Sequence, residues 1–165
     1  MRNLWKNEDG SALLEATAIV PVLILLVGGT LEFSLYFERQ HLVTTGVRDA
    51  ARYLARTDPA DPAKQTIAQN IAATGSADGS APLRVPSFNP ANVTIFLDDS
   101  ILNPLDPATN LRPYLVPAPA CAGPDRMRII TVTGSYTFTS PGLLGYFTTG
   151  QTIEVRHSER CIGLS

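Results

Sequence analysis

The chain has 165 residues, 13 of them basic and 15 acidic, for a formal net charge of -2. That leaves room for one domain of ordinary size beyond the N-terminal segment and excludes the broad cationic surface that DNA or RNA would need, so no nucleic acid partner is expected. Hydrophobic residues make up 44% of the sequence but aromatic ones only 7%, and the apolar content crowds into residues 12 to 37.

The first element is predicted from Ala16 to Leu31, ATAIVPVLILLVGGTL, which is uncharged and bracketed by Glu15 and Glu32. A spanning helix needs about 17 to 25 mostly apolar residues, so the run qualifies once Ala12, Leu13 and Leu14 on one side and Phe33, Leu35, Tyr36 and Phe37 on the other are included. Past Phe37 the pattern becomes amphipathic. Val43, Gly46, Val47, Ala50, Ala51 and Leu54 recur at helical spacing, while Arg48, Arg52 and Arg56 form a separate stripe four residues apart. Pro59 disfavours helical geometry at Asp58, so the helix is expected to stop near Thr57. One rod from about Ser11 to Arg56 would be roughly 70 Å long at 1.5 Å per residue. Pro21 and Gly28-Gly29 are its weak points, and Gly46 with Ala50 would admit close packing.

Asp61 followed by Pro62 reads as an N-cap with proline at the first helical position, opening a short helix with Ile67, Ala68 and Ile71 on one face and Gly75 at its end. Nine of the 13 prolines lie between Pro82 and Pro124, which predicts mainly loop there, broken by a strand from Val93 to Asp98. Arg128 to Thr139 is the clearest strand, with Ile130, Val132, Tyr136 and Phe138 alternating with threonine and serine. After a turn around Ser140 to Gly145, Thr152 to His157 alternates again through Ile153 and Val155. The expected fold is therefore α+β: a long membrane-seated helix continuing into an amphipathic one, packed on a small antiparallel sheet with proline-rich loops.

Cys121 and Cys161 both follow the apolar segment, where an exported domain meets oxidising conditions; a disulfide is expected, with two unpaired buried thiols as the alternative. No catalytic set is visible. His41 falls within the long helix, and His157 with Cys161 lacks the further ligands a zinc site needs. There is no phosphate loop, nucleophile elbow or paired-carboxylate pattern, so neither an enzyme nor a cofactor or metal is expected.

The informative motif is Gly10-Ser11-Ala12-Leu13-Leu14-Glu15 immediately before the apolar run. A secretory signal places its cleavage site after the apolar region, whereas here a glycine junction precedes it. At this point the chain resembles the type IV pilin superfamily, whose prepilin peptidase cuts after a glycine and whose mature chains carry glutamate at the fifth position; Glu15 is fifth from Ser11. With Pro21, Leu31-Glu32-Phe33 and Ala50-Ala51-Arg52-Tyr53-Leu54-Ala55-Arg56, the likeness is to the TadE-like minor pilins of Tad (tight adherence, Flp-type) pilus systems.

The resemblance implies a prepilin leader over 1–10, a transmembrane segment over 11–37, an amphipathic continuation over 38–57 and an exported α+β domain over 58–165. It implies processing at Gly10 and Ser11, and assembly contacts through Glu15, Pro21 and Glu32. The implied partners are prepilin peptidase, other minor pilins, the major Flp-type pilin, the inner-membrane assembly platform and the lipid bilayer. The implied place is the bacterial inner membrane, single-pass, with the C-terminal domain in the periplasm and the subunit available to a surface pilus in an initiating, tip or adhesion role. The competing reading is a single-pass, signal-anchored envelope protein with an exported binding domain.

Overall fold

A single 48-residue helix, α1 (Glu8–Ala55), dominates the computed structural model, which describes residues 8–114, 121, 123, 125–139 and 150–163. The helix runs unbroken through Pro21, whose missing amide costs one intrahelical bond while its apolar neighbours favour helix on either side. Threonines along the way hide their hydroxyls: Thr17 Oγ1 donates to the Leu14 carbonyl at 2.8 Å and Thr30 Oγ1 to the Val27 carbonyl at 2.8 Å. No hydroxyl at these two sites therefore asks for water. Among the described residues this is the one helix long and apolar enough to cross a membrane, and its large side chains from Leu13 to Phe37 are largely exposed.

Beyond Phe37 the helix acquires a buried face. Val43, Val47, Ala50, Ala51 and Leu54 lie in the core, matching the predicted amphipathic pattern. Helix α2 (Pro62–Thr74) has Asp61 as its N-cap, with Oδ1 accepting from the Ala63 amide at 2.9 Å, and ends on Gly75 at φ 82°, the left-handed geometry that favours glycine. Its packing differs from the expected face. Ala68, Ala72 and Ala73 are buried, while Ile67 and Ile71 are only half-buried. The reason is backbone proximity: α2 crosses α1 so closely at Gly46 that a methyl group there would overlap the Ala72 carbonyl oxygen, and only alanine-sized side chains fit the contact.

This closeness makes Gly46→Ala informative. Alanine gains roughly 0.5–1 kcal/mol in a helix interior, but the obstacle is backbone, and overpacking of this kind costs about 1–3 kcal/mol. The clash should win. Equilibrium unfolding of the detergent-solubilised protein should show a net loss of about 1–2 kcal/mol; equal or greater stability would mean that the two helices can separate freely.

The sheet is antiparallel in the order β1 (Val93–Leu102), β2 (Arg126–Phe138), β3 (Gln151–Arg160). Val93 and Val155 both pair with Gly134, so the inward set runs through Val93, Ile95 and Leu97, then Ile130, Val132, Tyr136 and Phe138, then Ile153 and Val155. These residues close the core against α1. The outward face of β2 is the predicted threonine-rich one, and Thr131 Oγ1 lies 2.9 Å from Ser158 Oγ on β3.

All three strands are longer than the sequence pattern suggests. On β1 the register slips between Asp98 and Ile101, where Asp98 Oδ1 takes the Ser100 amide at 2.8 Å, and pairing then resumes to Leu102. That interruption hid the second half of the strand. Arg128 closes the irregularity with a two-pronged ion pair, Nε and Nη2 each 2.7 Å from an Asp99 carboxylate oxygen, and this hydrogen bonding holds the Asp99 carboxyl below its ordinary range. The predicted turn around Ser140 to Gly145 lies outside the described residues.

The sheet is fastened to α1 at both ends. Near the apolar segment, Tyr36 meets Phe138 edge-to-face at 5.3 Å between centroids, and Arg39 stacks over the Phe138 ring while donating to the Thr139 carbonyl at 2.9 Å. At the far end the Ile162 and Gly163 amides donate to the Ala55 carbonyl at 2.8 and 3.1 Å, capping the last turn of the helix.

Candidate assembly site

Gly10 and Ser11 fall in the first turn of α1, and Glu15 follows one turn after Ser11. Four residues of α-helix rise about 6 Å, and positions i and i+4 share a face. Glu15 is exposed near the N-terminal end of the exposed apolar surface, with Leu13 and Leu14 before it and the run from Ile19 after it. The arrangement can accept a cation delivered beside Ser11. Pro21 is also exposed; with Leu13, Ala16, Thr17 and Val20 it borders a shallow apolar hollow of about 350 Å³.

Glu32 belongs to a different place. It is 8% exposed although Leu31 and Phe33 beside it are each 62% exposed, and it lies one turn before Tyr36 on the face that turns to the sheet. Seventeen residues separate it from Glu15, roughly 25 Å along the helix, and helical geometry puts the two carboxylates on different faces. The residues singled out along α1 are therefore two stations: an N-terminal one, where Glu15 and Pro21 are exposed one turn and more after Ser11, and an inward one at Glu32. At the opposite end of the molecule the sulfurs of Cys121 and Cys161 stand at bonding distance, with a Cα–Cα separation of 5.6 Å.

The periodic pattern did not disclose Tyr36 and Arg39 as the grip on β2. Their i, i+3 spacing put both on one face, but nothing local named Phe138 as the target. His41 is exposed on α1, and His157 Nε2 lies 2.9 Å from Glu159 Oε1. Among the described residues no group of three or more histidine, cysteine or carboxylate side chains could hold a metal.

No curated protein and no solved structure gives a significant match to this chain. A family model does match, over residues 10–52. Those residues hold the glycine junction, Glu15, the exposed apolar run and the start of the buried alanine face, so the sequence motif and the architecture meet in one segment. The family so matched is a structural one of Tad pilus systems, with no catalytic role attached to it. The matched family is described as TadE-like protein, so from Gly10 to Arg52, about a quarter of its length, the chain is similar to the TadE-like proteins.

Proposed function

We propose that the protein is a minor pilin, or pseudopilin, that is cut after Gly10 by prepilin peptidase and assembles with other pilus subunits in Tad-type pilus biogenesis. The observation that carries this reading is the position of Glu15: fifth from a glycine junction, on one helix face with Ser11, at the edge of an exposed apolar helix continuous with the domain it carries. A carboxylate at a bilayer edge needs a cation, and cleavage would supply the Ser11 amine, on the same or a neighbouring subunit. The domain beyond residue 57 is much larger than the little more than a helix of a major Flp-type pilin, which favours a low-copy initiating, tip or adhesion role. The inner membrane holds the apolar segment, and the domain faces the periplasm or the pilus surface.

N-terminal sequencing of membrane-extracted protein tests the reading. The expected first residue is Ser11. A chain that begins at Met1 would instead be the plain signal-anchored protein, and one that begins beyond residue 30 would have lost its helix to a conventional signal peptidase.

A further inference from the structure

On the face of α1 opposite the core, Arg48 and Arg52 stand one turn apart, and Arg56 follows at the same spacing in the turn just past Ala55, where its amide donates to the Tyr53 carbonyl at 3.2 Å; all three are exposed. Among the described residues the stripe makes one carboxylate contact, Arg52 to Glu159 at 4.0 Å, and the Arg52 side chain stays 60% exposed in it. Asp49, the acid nearest in sequence, is turned to Arg84 at 3.0 Å. Like charges four residues apart disfavour the helix of an isolated subunit. Guanidinium groups are also the side chains best shaped for two-pronged capture of carboxylates. Arg52 and Arg56 further border an open cleft of about 360 Å³ with Asp49, Tyr53 and Thr57.

The possible occupants differ in reach and charge. At 1.5 Å per residue the three arginines stand roughly 17 to 29 Å beyond Phe37, well past the 8–10 Å over which lipid headgroup charge acts. A net charge of -2 over the chain offers no extended cationic track for nucleic acid. A second copy would bring the same three arginines against a face where, among the described residues, Glu38 stands with Asp49 and Glu159, the last two already engaged by Arg84 and Arg52, so the charges do not match. A different membrane-anchored subunit, its helix parallel to α1 and bearing carboxylates at one-turn spacing, meets both conditions. We propose that the Arg48, Arg52 and Arg56 stripe docks the acidic outer helix of such a neighbouring pilus subunit, an inference that rests on the pilus-subunit reading above.

The test is site-specific photo-crosslinking in piliating cells, with the probe placed either at His41, exposed on the same face below the stripe, or at Leu23 in the apolar segment. Each probe is read with the native stripe and with Arg48→Glu, Arg52→Glu and Arg56→Glu combined. The expected result is a His41 cross-link to a different pilus subunit that falls at least tenfold on charge reversal, while the Leu23 cross-link and the Cys121 to Cys161 pairing on a non-reducing gel are unchanged. Replacing the partner's facing carboxylates with arginine should then restore the His41 cross-link. An undiminished His41 cross-link beside an intact Leu23 one would overturn the docking proposal alone, as would a His41 cross-link only to a second copy or to lipid. No Leu23 cross-link to any pilus subunit, with the native stripe, would overturn the pilus reading and the docking proposal with it. Should the triple variant lose abundance, Arg52→Glu alone, paired with the partner-side reversal, decides between the same outcomes.

Discussion

Replacing Glu15 with leucine should leave a protein that is abundant, membrane-bound and cut after Gly10, in cells that no longer make pili. The two readings of this residue give opposite expectations. As a mere boundary mark, Glu15 only burdens insertion: a carboxylate costs about 2.5–3.5 kcal/mol at a bilayer centre on insertion scales and less near the edge. Leucine would then improve membrane retention and change nothing else.

As an assembly residue, Glu15 meets the amine that cleavage creates at Ser11 of a neighbour. At about 4 Å and an effective dielectric near 20 such a pair is worth on the order of 4 kcal/mol before desolvation, enough to set which subunits enter a filament and in what register. Losing it should reduce surface piliation at least tenfold without affecting processing. Glu15→Gln separates charge from polarity, because the amide keeps the shape and hydrogen bonding but cannot neutralise an ammonium group. Processing, membrane abundance and piliation must be read in the same cells, since a fall in abundance alone would mimic failed assembly. Normal piliation with correctly processed Glu15→Leu protein would sink the role given to this glutamate.

Local chemistry made much of the architecture readable. The unbroken apolar run, the Asp61-Pro62 start and Gly75 end of α2, and the two-residue alternation of β2 and β3 each depend on neighbours within a turn or a strand, and each stands close to where the pattern put it. What escaped depends on contacts distant in sequence. Glu32 reads locally as the far bracket of an apolar stretch, yet it is buried on the sheet-facing side, and only the placement of the domain against α1 decides that. Ile67 and Ile71 outrank Ala72 and Ala73 in hydrophobicity, but the glycine at position 46 draws α2 in by its backbone and reverses the order. Asp98 and Asp99 looked like the end of β1. One of them turns the chain through the Ser100 amide and the other binds an arginine on β2, so charge that would usually mark a loop is absorbed inside a strand.

The other large effect is expected at the end of the chain furthest from Glu15. Cys121 and Cys161 are separated by 40 residues, and a bridge closing a loop of that size stabilises by roughly 4 kcal/mol on the chain-entropy estimate, less any strain. Among the described residues the Cys161 amide also donates to the Arg128 carbonyl at 2.9 Å. The tail holds α1 through two amides on the Ala55 carbonyl, each worth about 1 kcal/mol, and Ile162 remains 47% exposed, so its apolar burial contributes only part of a side chain's worth. The covalent link therefore outweighs the contacts it supports. Against a total stability of about 5–15 kcal/mol for a domain, Cys161→Ser should be severe. With a urea slope of about 2 kcal/mol/M, the unfolding midpoint should fall by about 2 M, and reduced native protein should unfold at the same midpoint as the variant. Proteolysis should then open the C-terminal tail before it touches α2, whose caps and alanine contacts do not depend on the bridge. Coincident midpoints for oxidised and reduced native protein, or two free thiols on labelling the denatured, unreduced chain, would show that the corner is held by packing alone.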